Sequence, residues 1–155
     1  MLELTSDTIR ARFTTLGARL VSLDFAGADM LMGGGSDADL LAGDWTAGAT
    51  IGRIAGRITN SGITIDGTNY PLAQNFGDHQ LHGGPDNFAV RHWKAQPTDN
   101  QIHFSLHSPD GDQGYPGALD VSATYSLSGS TLALDLEART TKPTVINLTN
   151  HGYWN

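Results

Sequence analysis

The sequence has no cysteine, which excludes disulfides, thiolate metal sites and cysteine nucleophiles together. It is nearly as poor in two strong helix formers: Lys94 and Lys142 are its only lysines, Glu3 and Glu137 its only glutamates. The remaining acidic side chains are all Asp, which favours turns and caps. No window approaches the ~18 consecutive apolar residues of a membrane span. Met1-Leu2-Glu3-Leu4 has neither the basic start nor the apolar run of a secretory signal, so a cytoplasmic location is expected. There is no Lys/Arg run, and a net charge of -7 with pI near 5.1 argues against nucleic acid or an anionic membrane surface as partner.

Glycine is what the chain has in abundance, 19 residues with six Pro in a total of 155. That length is one ordinary domain with no internal boundary, and the composition describes short extended pieces joined by many turns. Period-two alternation places every second side chain on one face of a strand. In Leu119-Asp-Val121-Ser-Ala123-Thr-Tyr125-Ser-Leu127 the odd positions are apolar and the even ones polar. After Ser128-Gly129-Ser130 the pattern resumes with Leu132, Leu134, Leu136 and Ala138, predicting an antiparallel hairpin. Ile102, Phe104 and Leu106 alternate in the same way with His103, Ser105 and His107. Ile63 and Ile65 precede Asp66-Gly67, a two-residue hairpin signal, and Tyr70 and Leu72 follow it. Ile9 to Phe13 and Leu20 to Phe25 read as an opening pair of strands, while Gly27 to Asp44 and Gln74 to Asn87 read as loops. No stretch of ten residues shows helical period. The fold class is all-β, with about eight to eleven strands in a sandwich or large antiparallel sheet system.

Six histidines stand out in this bland composition, because imidazole titrates nearest neutrality and suits proton transfer. His103 and His107 fall on the polar face of their strand and His92 adjoins Trp93, which points to structural roles. His82 is followed by Gly83-Gly84, which lets backbone approach closely and holds the ring in an unusual loop geometry. His151 ends Asn147-Leu148-Thr149-Asn150-His151 and is followed by Tyr153 and Trp154. Amides that bond hydroxyls, together with rings that stack on C–H faces, make a surface suited to a sugar. The pairs His79/His82 and His103/His107 raise a metal-binding β-sandwich as a competing reading, but neither has the helix and intervening Glu of a metalloprotease site.

Four separated motifs occur in order: Gly52-Arg53-Ile54-Ala55-Gly56-Arg57-Ile58; Leu81-His82-Gly83-Gly84; Ser108-Pro109-Asp110-Gly111 with Gly114-Tyr115-Pro116-Gly117; and Asn147-Leu148-Thr149-Asn150-His151. On these the sequence closely resembles the aldose 1-epimerase, or galactose mutarotase, family. The resemblance extends over residues 1–155 and over about the first half of a family member. It implies a large antiparallel β-sandwich of the galactose-mutarotase type, here incomplete, with a small-molecule sugar in an open cleft. It implies interconversion of α and β anomers of free aldohexoses without cofactor or metal. A Glu takes the anomeric proton while a His protonates the ring oxygen.

By match to the motifs, His151 is the general acid and His82 the second active-site histidine. Arg57 and Asn150 contact substrate hydroxyls, and Arg53 is structural. Gly56 stands where many members have Asn, and the family's catalytic Glu comes from the half that these residues do not match. A second polypeptide or a C-terminal half is therefore expected to complete the sandwich and supply the base, residues 1–155 alone being catalytically incomplete. Were a carboxylate of this chain to serve, Asp110 and Asp112 would come first. A non-catalytic sugar-binding domain and a hexose-6-phosphate 1-epimerase are the alternatives. An incomplete sandwich would also leave the Leu119–Leu127 and Leu132–Leu136 stripes uncovered and the chain prone to associate.

Overall fold

Alternation carries most of the chain into extended structure, as a computed structural model of the protein shows for all residues except Gly33 and Asp44. Those two belong to the loop expected over 27–44 and lie outside the described residues. Strands β1 (Leu2–Thr5), β2 (Ile9–Thr14), β3 (Arg19–Phe25) and β4 (Ala28–Asp29) form one antiparallel sheet in chain order. Next come β5 (Leu31–Met32), helix α1 (Asp37–Ala42), β6 (Thr50–Ile51), β7 (Arg57–Ile58), β8 (Gly62–Ile65), β9 (Thr68–Pro71) and β10 (Gln80–Leu81). Strands β11 (Lys94–Pro97), β12 (Gln101–Ser108), β13 (Leu119–Ser128) and β14 (Thr131–Thr140) make the second four-stranded antiparallel sheet. The short β15 (Thr149–Asn150) and β16 (Tyr153–Trp154) complete the order. No helix among the described residues is long and apolar enough to cross a membrane.

Both predicted hairpins form. Ser128 pairs with Thr131 across Gly129-Ser130, and Ile65 pairs with Thr68 across Asp66-Gly67. Both residues of the latter turn have positive φ, 49° and 78°, which matches the right-handed twist of the flanking strands. Within 27–44 the structure adds β4, β5 and the six-residue α1 to the expected loop. Ser36 caps α1 by accepting from the Asp39 N–H, and the Asp39 carboxylate accepts in return from the Ser36 N–H. A helix this short has no periodicity to read. Strand β11 was equally hidden, since Lys-Ala-Gln-Pro offers one apolar side chain.

The expectation of an uncovered inner face is corrected for the Leu119–Leu127 stripe. Leu119, Val121, Ala123, Tyr125 and Leu127 are all buried, because the second sheet packs on Leu4, Ile9, Ala11, Phe13 and Leu20 of the first. The Phe13 ring lies 4.6 Å from Tyr125 and 6.4 Å from Phe104. Leu132, Leu134, Leu136 and Ala138 are half-buried against the same core. The first sheet thus covers β13, β14 is covered only in part, and the polar residues of β12 to β14 other than the buried Ser108 face outward. On that outer face His103 Nδ1 lies 2.9 Å from Thr124 Oγ1, and His107 Nδ1 lies 2.7 Å from Asp120. Large exposed apolar side chains occur instead at Met32, Tyr153 and Trp154 on the paired strands β5 and β16.

Candidate active site

The site is assembled from pieces too short to be seen as strands in the sequence. Residues 50–58 form a central thread. On one flank β15 pairs with β6, Asn150 opposite Thr50 and Thr149 opposite Ile51. Asn147 extends this contact, its N–H donating to Arg53 O at 2.9 Å and its carbonyl accepting from Ala55 N–H at 2.8 Å. On the other flank β10 pairs with β7, placing Leu81 opposite Arg57. The backbone of His151 is tied to Ala49 and Gly48 by two bonds of 2.9 Å. His82 and His151, distant in sequence, are thereby brought into edge contact, their ring centroids 5.3 Å apart with planes at 88°.

His82 is locked by Gly56. Its N–H donates to Gly56 O at 2.8 Å, and its Nδ1 accepts from Gly56 N–H at 2.9 Å. An imidazole accepting at Nδ1 is neutral and carries its proton on Nε2, so this ring is set as a donor. Gly56, the departure from the family pattern, serves here through its backbone. His82 itself has φ 52°, and Gly83 follows at φ 90° against the Gly52 carbonyl. The close backbone approach expected of the paired glycines is what holds the ring.

His151 contrasts with it. Among the described residues its ring makes no hydrogen bond. Its neighbours are the rings of His82 and of Tyr153, the latter with centroids 5.0 Å apart. Trp45 borders the pair, 6.1 Å from His82, and its carbonyl is held by the buried Arg19, which also binds Ala47 O and Ala89 O. Neither Trp45 nor Arg19 was singled out by the sequence, where nothing marks them. A cavity of about 500 Å³ lined by Trp45, Phe76, Leu81 and Asn87 adjoins this corner.

Arg57 is exposed, with its guanidinium 4.9 Å from the Phe76 ring centroid. Asn150 spends its amide N–H groups on Gly48 O at 2.7 Å and Tyr125 Oη at 3.0 Å. It therefore ties β15 to the core, and its side-chain carbonyl oxygen takes no hydrogen bond among the described residues. Burial pushes the Tyr125 hydroxyl well above the usual tyrosine range, so the phenol stays neutral and donates to Ala18 O.

Arg53 has the structural role expected of it. Buried, it donates to Ser108, Pro109 and Pro116 and pins the 108–117 loop. Asp112 in that loop accepts from both Arg91 Nη atoms at 2.7 Å and from the Ser108 hydroxyl. Burial alone would raise its pKa, but the Arg91 fork and Ser108 outweigh it and hold the carboxyl below the usual Asp range. Asp110 is likewise lowered by Lys142 and the Gly117 N–H. Carboxylates held ionised by such partners are poor bases.

A group depressed in the folded state contributes stability above its unfolded pKa of ~3.9, and that contribution is lost as pH falls through the folded value. Asp112→Asn should therefore destabilise by about 1.5–3 kcal/mol at neutral pH. Urea unfolding at stepped pH should show this gap to wild type closing below about pH 4.

The other histidines are accounted for locally. His79 Nδ1 accepts from Asn60 N–H at 3.1 Å, and His92 Nδ1 lies 2.9 Å from Thr15 Oγ1. Among the described residues no three His, Cys, Asp or Glu converge as a metal site would require.

Fold and site together define an all-β sandwich bearing two half-buried imidazoles, each just past the end of a short paired strand. The family model described as aldose 1-epimerase matches residues 1–155. Galactose mutarotase from Sus scrofa is 37% identical over 99% of this chain and 46% of its own length. Aldose 1-epimerase from Escherichia coli K12 is 39% identical over 92% of this chain and 42% of its own. The crystal structure of an aldose epimerase homologue from C. elegans superposes with a TM-score of 0.92 at 31% identity, over 99% of this chain and 50% of that one. The chain belongs to the aldose 1-epimerase family. It spans about half the length of the curated relatives it matches.

Proposed function

We propose that the whole protein interconverts the α and β anomers of free aldohexoses of the galactose or glucose type. The observation that carries this reading is the imidazole pair: one ring locked as a neutral donor, the other beside it with no hydrogen bond among the described residues. His151 is the general acid. It gives a proton to the ring oxygen as a base removes the anomeric hydroxyl proton, the C1–O bond breaks, and an open-chain aldehyde results. Rotation about C1–C2 and closure on the other face return both protons. Anomer exchange breaks and re-forms one C–O bond with no net change of oxidation state, so no redox cofactor enters the proposed cycle.

His82 donates to the sugar from Nε2, and Arg57 and the Asn150 carbonyl contact hydroxyls. The base is a Glu from outside residues 1–155. In support, Glu3 is bound by Arg10 and Arg12 on the first sheet, and Glu137 faces outward from β14 opposite Ser122.

Polarimetry of freshly dissolved α-galactose and α-glucose tests the reading, with glucose 6-phosphate in parallel. Relaxation faster than solvent on the free sugars is the expected result. Binding without acceleration would replace it with a sugar-binding domain. A preference for the phosphorylated hexose would change the substrate class.

A further inference from the structure

Arg57 has an unusual setting for a cation in a binding site. Among the described residues its guanidinium makes no hydrogen bond and no ion pair; what it meets is the Phe76 ring, 4.9 Å from centroid to Cζ. Phe76 is itself 47% exposed and lies outside the hydrophobic core. Its backbone is nevertheless pinned. Phe76 N–H and O both pair with His79, each at 3.1 Å. The Asn75 side chain imitates a neighbouring strand, accepting from Leu81 N–H at 2.7 Å and donating to Leu81 O at 2.9 Å. His79 in turn receives the Asn60 N–H, which closes the loop against the segment following β7. Leu81 is at once the register partner of Arg57 and the residue before His82.

From this geometry we propose that Phe76 is a positioning residue, whose ring holds the Arg57 guanidinium in place for the sugar without itself touching the sugar. The proposal rests on the reading that Arg57 contacts substrate hydroxyls. The attraction is that of a cation for the negative face of an aromatic ring, and it leaves all five N–H donors of the guanidinium free for a ligand. A hydrogen-bonded partner would orient Arg57 equally well but would consume those donors. The pinned loop makes one segment, 75–82, responsible for the placement of both Arg57 and His82.

The test uses the whole protein. Phe76→Leu keeps an apolar side chain but removes the ring face, and should raise KM for α-galactose about two- to fivefold with kcat within about twofold. Phe76→Tyr should restore the wild-type KM. Introduced into Arg57→Ala, Phe76→Leu should raise KM no further, because its effect runs through the cation. In the free protein, the Arg57 Hε resonance should lose its ring-current displacement in Phe76→Leu and regain it in Phe76→Tyr. A wild-type KM in Phe76→Leu would overturn the proposal, as would an equal rise in KM with and without Arg57, since the ring would then be touching the sugar directly. An unchanged KM in Arg57→Ala, with the ring-current signature present in the wild-type protein, would instead remove Arg57 from the sugar, and this role of Phe76 with it.

Discussion

Replacing His151 by Gln is expected to lower kcat for anomer exchange by about 10²–10⁴-fold, the usual contribution of a positioned proton-transfer group. Gln retains comparable size and a hydrogen-bonding end but has no proton to exchange near neutrality. The His151 ring is half-buried, and its packing neighbours are rings rather than hydrogen-bonded partners, so the substitution leaves no buried polar atom stranded. The melting temperature should accordingly stay near wild type while polarimetric relaxation slows almost to the solvent rate. KM should change far less than kcat, because protonation of the ring oxygen develops in the transition state. His103→Gln, on the outer face beside Thr124, serves as the matched control and should turn over normally. A His151→Gln enzyme with near-normal kcat would take the acid role from this residue.

Gly83→Ala is expected to lower both stability and kcat/KM, the latter by about 100-fold. An added Cβ would stand 2.1 Å from Gly52 O, 2.6 Å from Gly52 C and 2.8 Å from Arg53 N, at a φ of +90°. These are backbone atoms of the central thread and cannot rotate away. The left-handed conformation adds roughly 1–2 kcal/mol for any residue with a Cβ. Relief requires the 82–84 loop to retreat, which breaks both bonds between His82 and Gly56 and moves the ring away from His151. A misplacement of ~1 Å in a catalytic constellation can cost about 100-fold. Gly129→Ala separates the two causes, since Gly129 has φ +57° but nothing within 4 Å of its added Cβ. That variant should lose a little melting temperature and no activity. Wild-type kcat/KM in Gly83→Ala would show that the Gly52 contact does not govern the His82 position.

Much of this protein was legible because the signals are local. Alternation at Leu119–Leu127 determined which side chains of β13 point inward, and Asp66-Gly67 and Gly129-Ser130 determined where two hairpins turn. The glycines after His82 marked a close backbone approach, and the surroundings of His151 marked a polar and aromatic corner. Motif order was enough to indicate the family. What remained hidden belongs to contacts between distant segments. Strands β6, β7, β10 and β15 are two residues long, too short for any periodicity, and they exist only because residues 50–58 lie between 147–151 and 80–82.

The covering of the Leu119–Leu127 stripe by the first sheet, against expectation, also depends on which faces meet in three dimensions rather than on either pattern alone. The burial of Arg19 and Arg53 is decided in the same way. A guanidinium is stable inside only where several carbonyls turn toward it, and those carbonyls come from loops around 45–47, 89 and 108–116. By itself the sequence determined the longer strands, two hairpin turns and the histidines singled out for chemistry. Tertiary structure alone decided that His82 and His151 meet, that Asn150 is tied to the core, and that Phe76 reaches Arg57. Facing and turning are written into neighbouring residues, whereas proximity across the chain is a property of how the sheets pack.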